Sequence, residues 1–220
     1  MLENLIIPVL NRYDLLYRCL ESIDYPVKHL LIIDNGGKLQ LDYSSEFLKN
    51  RTVLNMPSNL GVAASWNLGI KLFPHDHRWF FASNDMFYGP GALKTLSEAR
   101  RDEITLSDMF PRWHTFCVGD EALDRLGLFD EALYPAFYED TDMERRARHF
   151  GVTIRALPIP TGHDNSSTIN SDYNLMGKNI ATFANNSRYY ESKVTAEDYG
   201  PGGWSLYRRR LNAWDTPPID

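Results

Sequence analysis

An α/β chain built on a doubly wound, mostly parallel sheet is the fold class that this sequence predicts. Three observations carry it. Short apolar runs such as NLIIPVL (4–10), HLLIID (29–34) and RWFFAS (78–83) read as strands buried on both faces. Between them, apolar residues recur at helical spacing. The runs exit into polar, turn-forming loops: LNRYD (10–14), DNGG (34–37), MPSNLG (56–61) and SNDM (83–86). Ligands of open parallel sheets gather at the carboxyl ends of the strands, so these four loops are the first place to look for a site.

The elements follow in order. After the first strand, Asp14 is placed as a helix N-cap, and Leu16, Cys19, Leu20 and Ile23 form a core stripe. HLLIID is the second strand, SSEFLKN (44–50) a short helix and RTVLNM (51–56) the third strand. In NLGVAASWNLGIKLF (59–73), Trp66, Ile70 and Phe73 share one helical face, and Pro74 stops the helix. RWFFAS is the fourth strand and GALKTLSEAR (91–100) a helix. This β-α alternation is what a parallel, doubly wound sheet requires. Beyond residue 100 the pattern loosens: EITLS (103–107), TFCVG (115–119) and VTIRAL (152–157) read as strands. DEALDRLG (120–127) and DMERRARHFG (142–151) read as helices ending at glycine. A helical extension is expected over about 171–198, then a loop at YGPGGW (199–204).

The totals bound the function. With 220 residues and 43% hydrophobic content, the chain can bury a sizeable core and is not disordered. No apolar run approaches the ~18 residues of a membrane span. The start, MLENLIIPVLNRYD, has no basic region ahead of its apolar stretch, so it reads as a strand rather than a signal peptide. A soluble cytoplasmic protein, or one peripheral to a membrane, is expected. Cys19 and Cys117 fit no metal spacing and read as buried free thiols. A net charge of −6 argues against general nucleic-acid binding, and YRRR (207–210) reads as a solvated face.

Four constellations could carry chemistry. The small residues Gly61, Ala63, Ala64 and Ser65 open a helix, where they either let an anion approach the N-terminus or merely pack tightly on the sheet. Asp85, just past a buried strand, could hold a divalent cation against a diphosphate or simply form a turn. His163 could complete a metal site or be a solvated loop histidine. In FYEDTDMERRARHFG (137–151), Thr141 and Glu144 fit a capping box, Asp142 suits the first turn, and Met143, Ala147 and Phe150 are expected to face the core. Glu139 and Asp140 lie ahead of that expected helix start, behind the aromatics of YPAFY (134–138). A carboxylate at the lip of an aromatic-lined cleft could take a proton from a hydroxyl.

Taken in order, these pieces resemble the family 2 glycosyltransferases of the GT-A fold over roughly residues 4–165. The segments are IIPVLNRYDLLYRCLESI, LLIIDNGG, NLGVAASWNLGI, FFASNDMFYGPGAL and, most specifically, GDEALDRLGLFDEALYPAFYEDTDMERRARHFG. The resemblance implies a Rossmann-like catalytic domain over 1–165, with 166–220 as a helical extension packed on it.

It also implies roles. Asp34 would contact the base of a nucleoside-diphosphate sugar, with Asn11 and Arg12 nearby. Pro8, Asn35, Asn59, Gly61, Asn67, Ser83, Asn84 and Asp85 would complete the donor site. Asp85 and His163 would hold Mn²⁺ or Mg²⁺, Asp140 would be the catalytic base, and Glu139 would position the acceptor. One departure matters. The family's metal motif is often Asp-x-Asp, and its first acid is here Ser83, which puts metal dependence in question. The expected activity is inverting transfer of a hexose from a UDP-sugar or similar donor to a hydroxyl of a glycan, a lipid-linked glycan or a protein. Two alternatives are a nucleotidyltransferase, which lacks basic residues for a triphosphate here beyond Arg12, and a non-catalytic sugar-nucleotide-binding module.

Overall fold

The computed structural model describes residues 1–163 and 173–200. Its strands are β1 (Leu5–Val9), β2 (Val27–Asp34), β3 (Leu48–Asn55), β4 (Arg78–Ala82), β5 (Met86–Tyr88), β6 (Glu103–Ser107), β7 (Thr115–Gly119), β8 (Thr153–Leu157) and β9 (Thr161–His163). Its helices are α1 (Tyr13–Glu21), α2 (Val62–Leu72), α3 (Ala92–Leu96), α4 (Asp120–Leu126), α5 (Glu139–Phe150) and, closing the described chain, α6 (Tyr173–Thr195).

Seven strands form one sheet in the order β3-β2-β1-β4-β7-β6-β8. β1 runs parallel to β2 and β4, β2 to β3, and β6 to β8. β7 alone in this sheet is antiparallel to its neighbours, β4 and β6. Strand alternation splits the core into two layers. Leu5, Ile7, Leu30, Ile32, Phe80 and Cys117 pack with α1 and α3 on one face. Ile6, Leu31, Ile33, Phe81, Phe116 and Val118 pack with α2, α4 and α5 on the other. The second layer is knitted by aromatics: Trp66 lies 4.9 Å from Phe116 and 4.8 Å from Phe129, and Phe81 stacks on Phe116 at 4.7 Å. Gly69 lets α2 sit directly on Ile6, since a Cβ there would come within 2.8 Å of that side chain.

Several local expectations need correction. SSEFLKN is not a helix: Ser45 turns the chain through its hydroxyl and carbonyl, and β3 already begins at Leu48 opposite Val27. Asp14 does not cap α1. Arg12 holds the cap position in a left-handed conformation (φ 55°), and its guanidinium grips Asp14 at 2.8 and 3.0 Å. GALKTLSEAR is helical only to Leu96, because Ser97 turns its hydroxyl onto Lys94 while Arg78 draws off the carbonyls of Ser97 and Ala99. Phe150 is 37% exposed rather than in the core. Both cysteines are buried and free, as expected. No helix among the described residues is long and apolar enough to cross a membrane. The YRRR cluster and most of YGPGGW lie outside the described residues.

Candidate active site

The parallel strands β1 to β4 all deliver their carboxyl ends to one edge, where the residues expected to bind a donor converge. Many of them hold the edge itself together. Asp34 is fully buried; its carboxylate accepts from the backbone N–H groups of Gly36, Lys38 and Leu39 at 2.6–3.0 Å and from the Tyr13 hydroxyl at 3.0 Å. Those bonds wrap the DNGG loop around one side chain. Burial, followed by the hydrogen bond to Asp34 and then its charge, pushes the Tyr13 phenol above its ordinary range.

Asn35 bridges two loops, donating to Ser65 Oγ at 3.0 Å and accepting from the Leu60 N–H at 2.8 Å. Asn59 accepts from the Gly61 N–H at 2.8 Å, which shapes the turn into α2. Asn67 is buried and reaches away from the loops, exchanging hydrogen bonds with the Phe129 backbone at 2.9 Å and donating to Glu131 at 2.8 Å. Pro8 sits within β1 opposite Ile33. Asn84 donates to the Asn11 carbonyl at 3.3 Å, joining the first and fourth loops. Ser83 is partly exposed beside them, its N–H bonded to the His114 carbonyl at 2.8 Å.

Asp85 and His163 come together. His163 is not a loop residue: it ends β9, paired antiparallel with β5 so that it faces Met86. This carries its Nε2 to 3.0 Å from Asp85 Oδ1, with both side chains about nine-tenths buried. The other ring nitrogen, Nδ1, is buried without a hydrogen-bond partner among the described residues. Two ligands on adjacent vertices of an octahedron, each ~2.1 Å from a cation, lie about 3.0 Å apart. The pair therefore fits a shared divalent cation. Among the described residues no cluster of three or more His, Cys, Asp and Glu surrounds one spot.

His114, which the sequence did not single out, supports this pair. Its ring lies 5.3 Å from that of His163. Its Nδ1 contacts the Pro111 carbonyl and its Nε2 lies 2.6 Å from Thr161 Oγ1. A carbonyl only accepts, so Nδ1 carries the proton and Nε2 takes the threonine hydrogen. Burial holds the imidazole below its ordinary pKa, which keeps that arrangement neutral.

The acidic entry to α5 is built differently from a capping box. The helix starts three residues earlier than expected, at Glu139, and Tyr138 takes the cap position with φ 75° and no side-chain cap bond. Phe137 before it has φ 79°, so two consecutive aromatic residues are left-handed. Each such residue costs about 1–3 kcal/mol and persists only where its surroundings hold it. Glu144 does not reach back to the cap but accepts from Trp113 Nε1 at 2.8 Å. Thr141 turns its N–H (2.7 Å) and hydroxyl (3.2 Å) onto Asp140 Oδ1. No hydrogen bond to the other oxygen of Asp140 is present among the described residues. Burial raises the Asp140 pKa against the pull of those two bonds. Glu139 is 7% exposed, and burial, then the Asp140 charge, pushes its carboxyl up to about 8.

Asp142 takes no part in that pair. It is fully buried, hydrogen-bonded to Arg146 at 2.8 Å one turn along and ion-paired with Lys193 of α6 at 2.8 Å. Lys193 also holds Asp130 at 2.6 Å, and Tyr189 donates to the same carboxylate at 3.1 Å. Asn186 donates to the carbonyls of Ala136 and Phe137 at 2.8 and 3.2 Å. The rings of Phe183 and Tyr190 close on Tyr138 at 5.2 and 5.4 Å. Phe183, Asn186, Tyr190 and Lys193 fall at helical spacing, a stripe present in the sequence but disguised by its two polar members.

The loop from 129 to 138 also meets the donor side. The Val62 N–H donates to the Pro135 carbonyl at 2.7 Å, and the Tyr134 hydroxyl to that of Asn59 at 3.1 Å. Gly61 has φ 82°, and a Cβ there would stand 2.8 Å from the Pro135 oxygen.

A sheet of this topology, with helices on both faces and polar loops at the strand ends, defines a GT-A glycosyltransferase fold. The family model described as Glycosyl transferase family 2 matches residues 4–121, more than half of the chain, and the chain belongs to that family. Among solved structures it is similar to S. aureus TarS, with a TM-score of 0.52 and 16% identity over 72% of this chain and 58% of that one. GalNAc-T7, solved with UDP, GalNAc and Mn²⁺, gives a TM-score of 0.58 and 10% identity over 74% of this chain and 44% of that one. The catalytic domain of Drosophila beta1,4galactosyltransferase 7, in complex with xylobiose, gives 0.50 and 13% over 74% and 70%. This chain thus spans about half the length of the first two. No curated protein matches it in sequence.

Proposed function

We propose that this chain transfers a glycosyl group, a hexose, from a nucleoside-diphosphate sugar to an acceptor hydroxyl with inversion, and that Asp140 is the general base. The observation that supports this most is the state of Asp140. One oxygen is fixed by Thr141, the other has no hydrogen bond among the described residues, and burial makes the carboxylate a better base than an exposed one. As Asp140 takes the hydroxyl proton, the acceptor oxygen bonds to the anomeric carbon. The bond from that carbon to the diphosphate breaks on the opposite face, and the diphosphate leaves with the electron pair. Glu139, raised to about 8 and so protonated at neutral pH, offers the acceptor a hydrogen-bond donor beside the base.

A divalent cation, Mn²⁺ or Mg²⁺, held by Asp85 and His163 would neutralise charge on the departing diphosphate. The UDP in the GalNAc-T7 structure makes a uridine donor the first choice. Family membership favours this reading over a nucleotidyltransferase, and an intact Asp140 favours it over a binding module.

Thermal shift against UDP-, GDP-, dTDP- and CMP-sugars, each with and without Mn²⁺, tests the donor site. A donor at ~100 times its Kd stabilises by about 2.7 kcal/mol, roughly 5–10 °C at this size. Asp140→Asn is expected to keep that shift and lose transfer. Full activity in the variant would remove the base assignment, and no shift with any donor would favour a binding module with a ligand outside the panel.

A further inference from the structure

We infer that Asn186 of α6 is a positioning residue for the Glu139–Asp140 pair. This rests on the transferase reading above. The two carboxyls open α5, and their direction is set by the two peptide units before them. Those units pass through the consecutive left-handed residues Phe137 and Tyr138. Neither residue is glycine, so the chain relaxes to a right-handed or extended path unless something outside it intervenes.

Within the helix, one bond helps: the Asp142 N–H donates to the Tyr138 carbonyl at 2.8 Å. It fixes the first turn but not the approach to it. The approach is held from α6. Asn186 is 4% exposed, and its single amide nitrogen donates to the carbonyls of both Ala136 and Phe137. A side chain with two donor hydrogens on one nitrogen is what two converging carbonyls need. Phe183, against Phe137 at 5.5 Å and Tyr138 at 5.2 Å, backs the same turn. Without that amide, both carbonyls lose this partner in a half-buried place and the left-handed pair loses its clamp. Asp140 keeps its chemistry but not its aim.

The test compares the wild type with Asn186→Ala, Asn186→Ser and Asn185→Ala. Asn185 is the exposed neighbour on α6 and serves as control. The probe is the nucleotide sugar of the panel above that raises the wild-type Tm most, followed by its hydrolysis to free sugar and nucleoside diphosphate. Hydrogen exchange over 134–141 is read in parallel.

Asn186→Ala is expected to lower kcat roughly tenfold to a hundredfold, as small misplacements of a catalytic group do. Donor KM and the donor-induced Tm shift stay as in the wild type, and exchange over 134–141 quickens. Asn186→Ser, which keeps one donor, recovers part of kcat, and Asn185→Ala matches the wild type. Unchanged kcat and exchange in Asn186→Ala, or a loss confined to KM, overturns the inference. If Asn186→Ala does not fold, Asn186→Ser is read in its place by the same criteria. If no donor binds or is hydrolysed by the wild type, the transferase reading fails. The exchange comparison then still decides whether Asn186 holds the turn.

Discussion

The ammonium of Lys193 lies 2.6 Å from the Asp130 carboxylate, and both side chains are out of water. The same nitrogen reaches Asp142 at 2.8 Å, and Asp142 in turn binds Arg146. One lysine from the end of α6 thus balances an acid from the loop ahead of α5 and an acid from α5 itself.

Lys193→Met should therefore be among the most damaging single changes outside the site. Breaking a buried ion pair by removing one partner costs about 3–5 kcal/mol. At this size that is a fall in Tm of roughly 6–20 °C. Calorimetry checks it. A melting temperature unchanged by Lys193→Met would mean that this ion-pair cluster does not fasten α6 to the rest of the chain.

Glu139 gives a pH signature. Its folded pKa of about 8 stands above its ordinary value, so between the two the folded state binds more protons than the unfolded one. Stability from this group is thus fully present at low pH and is lost as pH rises towards 8. Glu139→Gln should flatten that decline and melt above the wild type at pH 8, with little difference at pH 4. Melting curves across this range decide it.

Thr141→Val keeps the N–H bond to Asp140 and removes the hydroxyl bond at 3.2 Å. That bond pulls the Asp140 pKa down, so its loss raises the pKa further. The acidic limb of the kcat/KM profile should move to higher pH. An unmoved limb would separate that limb from Asp140.

Gly61→Ala asks a left-handed backbone to carry a Cβ placed 2.8 Å from the Pro135 oxygen and 2.9 Å from the Tyr134 ring. The backbone mismatch alone costs about 1 kcal/mol or more, and the loop at 134–135 must also retreat. We expect a Tm lower by at least about 2–4 °C, together with weaker donor binding, in thermal shift with and without the donor.

Asp85→Asn and His163→Ala should each remove the Mn²⁺-dependent part of the donor-induced thermal shift and leave any metal-independent part. Chelation of the wild type should reproduce the effect. A Mn²⁺ response that survives both substitutions would place the cation elsewhere.

How much of this could be read in the residues depended on whether the signal was local. Strands buried on both faces announce themselves as apolar runs, which is why β1, β2, β4 and β7 were legible. The helical ends at Gly127 and Gly151 were legible too, since both glycines sit at C-caps with positive φ. β9 was not: its residues, Thr161, Gly162 and His163, carry no strand pattern, and the strand exists because β5 lies across from it. The start of α5 was misread because Thr141 and Glu144 fit a local rule that tertiary partners overrode. Trp113 draws Glu144 away, and α6 holds the turn ahead of Glu139. Asp34, Asn35 and Asn67 were placed at a donor site only by the family resemblance. What no pattern disclosed is that their polar atoms bind the protein's own backbone and side chains.

The moorings of the loop from 129 to 138 set what can be exchanged in this chain. It is fastened to α2 through Asn67, to the Gly61 turn through Pro135, and to α6 through Asn186 and Lys193. A designer who grafts a new 129–138 loop alone would leave three sets of partners behind, two of them buried. The transplantable unit is discontinuous: segments 59–67, 129–146 and 183–193 have to travel together, and in this chain the loop can diverge only in step with the other two.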